Sequence, residues 1–166
     1  YVKNRNFSNR RIFKTDRHCQ ELKRLLVIAS EKYDVNIHAY CIVQNNFHLL
    51  VEDINNNLFS ALQFIFKAYT CWFNACEGTG GQIFTKGSEM VNVGSLRYLL
   101  RLSKYIHVQP LGELVYDISK LDQYEWSSYA DYLFSNLAPT WLYTDAVLSN
   151  FFGRNPSLDY RLYVEE

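Results

Sequence analysis

The chain has 166 residues, 48% of them hydrophobic, enough to bury one core and, by length, to form one domain over 1–166 and not two. Lys plus Arg and Asp plus Glu number 17 each, which excludes a surface coated throughout for nucleic acid; yet the basic residues lead 9 to 3 over 1–32 and trail 3 to 9 over 113–166. Four cysteines without a CxxC pair, and no apolar run of about eighteen residues, argue against structural zinc, a disulfide scaffold and a membrane span; with no charged-then-apolar leader, they predict reduced thiols in a cytoplasmic protein.

Tyr1-Val2-Lys3 reads as strand, placing the start of the sequence inside the fold with a residue or more ahead of it. The polar run Asn4–Arg11 reads as a basic loop. Thr15 or Asp16 can cap a helix to about Tyr33, with Leu22, Leu25, Leu26 and Ala29 on its apolar face and Arg17, Lys23, Arg24 and Lys32 on the other. Arg5, Arg10, Arg11, Arg17, Lys23 and Arg24 form a candidate DNA-binding patch; the alternative is an ordinary solvated helix face.

Ile37–Val43 and Asn46–Glu52 flank a polar break and predict a β-hairpin. Period two sends Asn46, His48 and Leu50 to one face and Phe47, Leu49 and Val51 to the other. A second helix follows Asn57, with Leu58, Leu62, Ile65, Phe66, Tyr69 and Phe73 as its stripe. After the loop at Glu77–Gly81, residues 82–85 and 90–93 are expected as strands around a turn at Gly87-Ser88. Ser95 caps a third helix, with Leu96, Leu99, Leu100 and Leu102 inward and Arg97, Arg101 and Lys104 outward. Pro110 places Gln109 at or near its end, so Tyr105 and Gln109 share a face if the last turn holds. Residues 113–166 read as an extension of short helical and aromatic pieces packed on the rest. The element order predicts an α+β fold: a ferredoxin-like antiparallel sheet with helices packed on one face.

A strand His beside an Asn at i+2 is, alone, more often a hydrogen-bonded residue than a ligand. Together, the imidazole of His48 and the amide oxygens of Asn46 and Gln109 make a mixed set that suits Mg²⁺ or Mn²⁺ better than zinc.

Several motifs also carry a resemblance. His38-Ala39-Tyr40-Cys41-Ile42-Val43-Gln44-Asn45-Asn46-Phe47-His48-Leu49-Leu50, Gly81-Gln82-Ile83-Phe84, Tyr105-Ile106-His107-Val108-Gln109-Pro110 and Tyr124-Glu125-Trp126-Ser127-Ser128-Tyr129 resemble, in order, those of the REP-associated tyrosine transposases, members of the His-hydrophobic-His endonuclease class. The resemblance implies metal-dependent cleavage and rejoining of single-stranded DNA next to a hairpin, through a 5′-phosphotyrosine intermediate. It makes Tyr105 the nucleophile, His48 and Gln109 metal ligands, and Asn46 the residue at the first histidine position. It also implies a monomer, although other small transposases exchange the tyrosine helix in dimers.

The chain departs from that pattern in ways that remove charge. Asn46 is a neutral, weaker ligand than imidazole for Mn²⁺. Gln44 stands where the family has proline, and Gly87-Ser88-Glu89 and Leu111-Gly112-Glu113 stand where it has basic segments. Two outcomes follow: an active enzyme with a natural ligand variation, or a catalytically weakened or inactive DNA-hairpin binding protein.

Overall fold

The computed structural model describes residues 1–5, 11–85, 88–112, 114–115 and 117–166, with the Arg5 side chain outside the described part. In chain order the main elements are β1 (Val2–Arg5), α1 (Asp16–Tyr33), β2 (Val35–Val43), β3 (Asn46–Asp53), α2 (Leu58–Glu77), β4 (Glu89–Met90) and α3 (Leu96–His107). The four strands form an antiparallel sheet in the order β2-β3-β1-β4. This is the expected α+β architecture.

The hairpin forms as its alternation requires. Phe47 and Leu49 enter one core with α1 and α2, whereas Leu50 enters a second core with Leu102 and Ile106 of α3. On β2 a bulge between Ile37 and Ala39 shifts the alternation by one residue. Val35 and Ile37 before it, and Tyr40 and Ile42 after it, therefore all face α1 and α2, while Ala39, Cys41 and Val43 face α3. The α1–α2 pair covers one face as expected. The other face is not left open: α3 and the chain after it cover part of that face as well, because β2 and β3 carry apolar side chains on both sides.

Local signals account for most helix ends. Leu22, Leu25, Leu26 and Ala29 of α1 are buried, and Asp34 closes the helix at φ 53°. The Thr15 hydroxyl at its start bonds His18 Nδ1 at 2.7 Å. At α2, Asp53 Oδ1 accepts from the backbone N–H groups of Asn57 and Leu58 at 2.8 and 3.2 Å. Ser95 Oγ caps α3 by accepting from Tyr98 N at 3.3 Å. Leu96, expected inward, is 52% exposed because it occupies the first helical position, short of the sheet.

The strands expected over 82–85 and 90–93 reduce to β4 and an isolated bridge at Phe84; Gly87 of the expected turn lies outside the described residues. Ile83 and Phe84 are buried side by side instead of alternating, and Phe84 packs against Phe47, Phe66 and Tyr69. Packing against α2 thus takes the place of a strand.

Beyond α3 the chain forms a 3₁₀ turn (Ile118–Gln123), α4 (Tyr129–Leu133), a second 3₁₀ turn (Ser135–Leu137), α5 (Asp145–Leu148) and α6 (Pro156–Glu165). This extension lies against the outer edge of β2. Ile42 N donates to Trp126 O at 2.8 Å, Ser128 N to Tyr40 O at 3.0 Å, and Tyr143 N to Ile37 O at 2.9 Å. Among the described residues no helix is long and apolar enough to cross a membrane. All four cysteines are free thiols, and burial pushes that of Cys19 up to about 12.

Candidate active site

Tyr105 projects from the last turn of α3 and is 42% exposed. Its ring stands edge-on to the imidazole of His48, with centroids 5.8 Å apart, although 57 residues separate the two in sequence. Tyr1 completes the cluster: its hydroxyl meets His48 Nδ1 at 2.7 Å, and its ring lies 6.1 Å from that of Tyr105. His48 itself exposes no surface.

Gln109 lies in a turn two residues past the end of α3, so the shared helix face does not extend to it. Its Nε2 donates to the Tyr105 carbonyl oxygen at 2.9 Å, which satisfies one of the orphan carbonyls of the helix end. Asn46 begins β3, two residues from His48 on the same strand face. Its Oδ1 is buried without a hydrogen-bond partner among the described residues.

That orphaned oxygen is the observation that fits a cation. One imidazole and two amide oxygens form a neutral set acceptable to a hard divalent ion. Among the described residues no group of three or more His, Cys, Asp or Glu gathers to hold a metal. The set has no negative charge of its own to balance such an ion.

A buried clamp fixes the helix end that carries Tyr105. His107 is fully buried, with Nδ1 2.7 Å from the Tyr160 hydroxyl and Nε2 2.8 Å from Ser128 Oγ. Ser128 Oγ also accepts from Tyr40 N and lies 3.2 Å from Tyr40 O. The bonds are consistent with a neutral ring that donates from Nε2 and accepts at Nδ1. Burial pushes the His107 pKa down to about 3, which keeps the ring neutral. The clamp thereby ties α3 to β2 and α6.

Of the basic residues singled out in sequence, Arg17, Lys23 and Arg24, all on α1, do not join this cluster, and the side chain of Arg5 lies outside the described part. α1 packs on the Phe47 side of the sheet, opposite the face that carries His48 and Tyr105. Arg17 lies over the Trp72 ring at 5.5 Å and Lys23 over the Tyr40 ring at 5.5 Å. Arg24 is paired to Glu21 at 2.7 Å. Arg11 is exposed, and Arg10 lies outside the described residues. The backbone of Arg5 pairs opposite Asn46.

Sequence reasoning missed two neighbours of His48. Tyr1 was legible only as the start of a strand. Lys3 pairs directly opposite His48 across β1 and β3, so period two places it with Tyr1 on the His48 side. The alternation of Tyr1, Lys3 and Arg5 was the available signal, but only pairing with β3 gives it meaning.

No family model matches the chain, and no curated protein matches it. A solved structure of a REP-associated tyrosine transposase bound to a REP hairpin is similar to it, with a TM-score of 0.61 at 15% identity over 87% of this chain and 84% of that one. The two chains share a fold. The sequence-level resemblance and the structural likeness thus point to the same architecture, although the motifs, and not the 15% identity, are what single out particular residues.

Proposed function

We propose that this chain is a DNA-binding, transposase-like protein that recognises single-stranded DNA beside a hairpin, and cleaves and rejoins it at Tyr105. The observation that carries the reading is the convergence of a partly exposed Tyr105 on His48, on a fold shared with a hairpin-bound tyrosine transposase. In the forward step Tyr105 Oη attacks phosphorus. The tyrosyl O–P bond forms and the P–O3′ bond breaks; the phenol releases its proton, and the departing 3′ oxygen acquires one. One phosphodiester replaces another, so rejoining is the reverse reaction and needs no external energy source.

A phenol of pKa about 10 is a poor nucleophile when neutral, so the site must orient the phosphate and favour developing charge. Tyr1 orients His48 through Nδ1, and a cation at His48 would then be held through Nε2, with Asn46 Oδ1 and Gln109 Oε1 as the other protein ligands. Bound there, Mg²⁺ or Mn²⁺ would supply Lewis-acid polarisation of the phosphate. Gln109 and the His107 clamp hold the end of α3 in place beneath the phosphate.

The test is a labelled single-stranded oligonucleotide bearing a hairpin, incubated with Mg²⁺ or Mn²⁺. A covalent protein–DNA adduct is expected from the wild type and none from Tyr105→Phe, which should still bind. No adduct over a broad set of hairpins and both metals would reject the cleavage step. Asn46 favours a second reading, a hairpin-binding protein with weakened or lost chemistry. Salt-sensitive binding that is indifferent to both Tyr105→Phe and chelator, without any adduct, would establish it.

A further inference from the structure

Unlike the cations of α1, Arg97 and Arg101 stand on the same helix as Tyr105. On α3, Arg97, Arg101 and Tyr105 recur at a spacing of four, and all three are exposed. Residues i and i+4 are neighbours on a helix surface, about 6 Å apart along the axis at 1.5 Å per residue. The two guanidinium groups therefore form a stripe that leads along α3 to the tyrosine. Beside the end of this stripe stands Lys3, half-buried, on the sheet face that α3 covers and opposite His48.

What sets these three cations apart is their placement along α3 and beside His48; Arg11, Lys67 and Arg154 are equally without an ion pair among the described residues. Among the described residues none of Arg97, Arg101 and Lys3 makes an ion pair or a hydrogen bond. Lys104, on the same helix, is committed to the Tyr163 carbonyl at 2.8 Å and to the Tyr163 ring. Arg17, Lys23 and Arg24 are engaged by Trp72, Tyr40 and Glu21. Two like charges at i and i+4 weaken a helix, so nothing in the stability of α3 calls for Arg97 and Arg101 together. The neighbouring cleft of about 660 Å³, which shares Tyr1 as a wall, contains Glu52 and Asp53 and would repel phosphate. Exposed Glu89 pairs opposite Lys3 from β4, so the two side chains share a face and Lys3 has one carboxylate beside it.

We propose that Arg97 and Arg101, with Lys3 at the foot of the stripe, form the track that carries the single strand to Tyr105. The proposal rests on the reading of the chain as a hairpin-DNA processing protein and moves the strand-binding surface from α1 to α3. Arg97 and Arg101 would hold phosphates that flank the reacting one, and Lys3 the phosphate next to His48. The ligand chemistry is polyanionic, with one phosphate per residue of the track, so the contribution should be electrostatic and indifferent to base sequence.

The test compares the wild type, Arg97→Gln/Arg101→Gln, Lys3→Gln and a control, Arg17→Gln/Arg24→Gln, for binding to a hairpin with a single-stranded flank. For each cation removed from the track, the slope of log affinity against log salt should fall by about 0.7, the single-strand value per phosphate contact. The control should keep the wild-type slope. A second probe with one neutral methylphosphonate at the junction should cost the wild type affinity but leave Lys3→Gln unchanged, and Lys3→Arg should behave as wild type. Unchanged thermal melting would show that the variants fold. Wild-type slopes in both track variants, with loss confined to the α1 control, would overturn the track while leaving the functional reading standing. Absence of DNA binding by the wild type would overturn both.

Discussion

His107 offers the most direct test of the clamp beneath Tyr105. The ring is fully buried and its folded pKa lies near 3, whereas in the unfolded chain it returns to about 6.5. Between these values the unfolded chain binds a proton that the folded chain refuses, so stability must fall as pH drops from about 6.5 toward 3. At 1.36 kcal/mol per unit, the loss at about pH 4.5 relative to neutral pH is about 3 kcal/mol from this residue alone. His107→Gln removes the titration. It should also cost about 1–3 kcal/mol at neutral pH, because an amide satisfies Tyr160 and Ser128 less well. Urea unfolding of both proteins at about pH 7 and about pH 4.5 separates the two effects. The wild type should lose about 3 kcal/mol more than the variant between the two conditions, with similar denaturant slopes. The His18 pKa is also lowered by burial, but that residue is present in both proteins and drops out of the comparison. Equal acid losses in the two proteins would refute a buried, neutral His107 and the clamp built on it.

Two further perturbations address the fold and the site. Phe47 is fully buried against Phe13, Phe66 and Phe84, so Phe47→Ala should destabilise by about 3–5 kcal/mol in denaturant unfolding; a loss below about 1 kcal/mol would mean that β3 does not face α1 and α2. Asn46→His should raise Mn²⁺ affinity at least about tenfold, since imidazole is the stronger ligand and even outer-shell partners act on that scale. Titration followed by the Mn²⁺ resonance signal checks it, and unchanged affinity would remove Asn46 from the ligand set.

Much of the architecture was legible because the signals are local. The period of Leu22, Leu25, Leu26 and Ala29 and the alternation through Phe47–Leu50 each decide what is buried, and Ser95 caps the helix it was expected to cap. The bulge at His38 was not legible: it depends on the register between two strands and on the Tyr143 carbonyl, 2.9 Å from His38 Nδ1. The sheet also separates charges that sequence had grouped. Arg17 and Arg24 read as part of a candidate DNA-binding patch because they crowd one helix face, but that helix packs on the side of the sheet opposite Tyr105. Tyr1 and Lys3 became neighbours of His48 only through pairing between β1 and β3. The extension beyond α3, rich in aromatics and weak in periodicity, is shaped by contacts such as Tyr160 with Tyr132 and His107.

The hydrogen bonds that Ser128 N and Tyr143 N donate to the outer margin of β2, and that Trp126 O accepts from it, bear on assembly. An uncovered strand margin is a template on which another chain can continue the sheet. Here the protein occupies that template with its own backbone at Ile37, Tyr40 and Ile42. Sheet extension across β2, whether by a second copy or in aggregation, would first have to peel away a segment that also anchors His107. Strand addition is thereby steered to the opposite margin, where among the described residues β4 offers Glu89 and Met90.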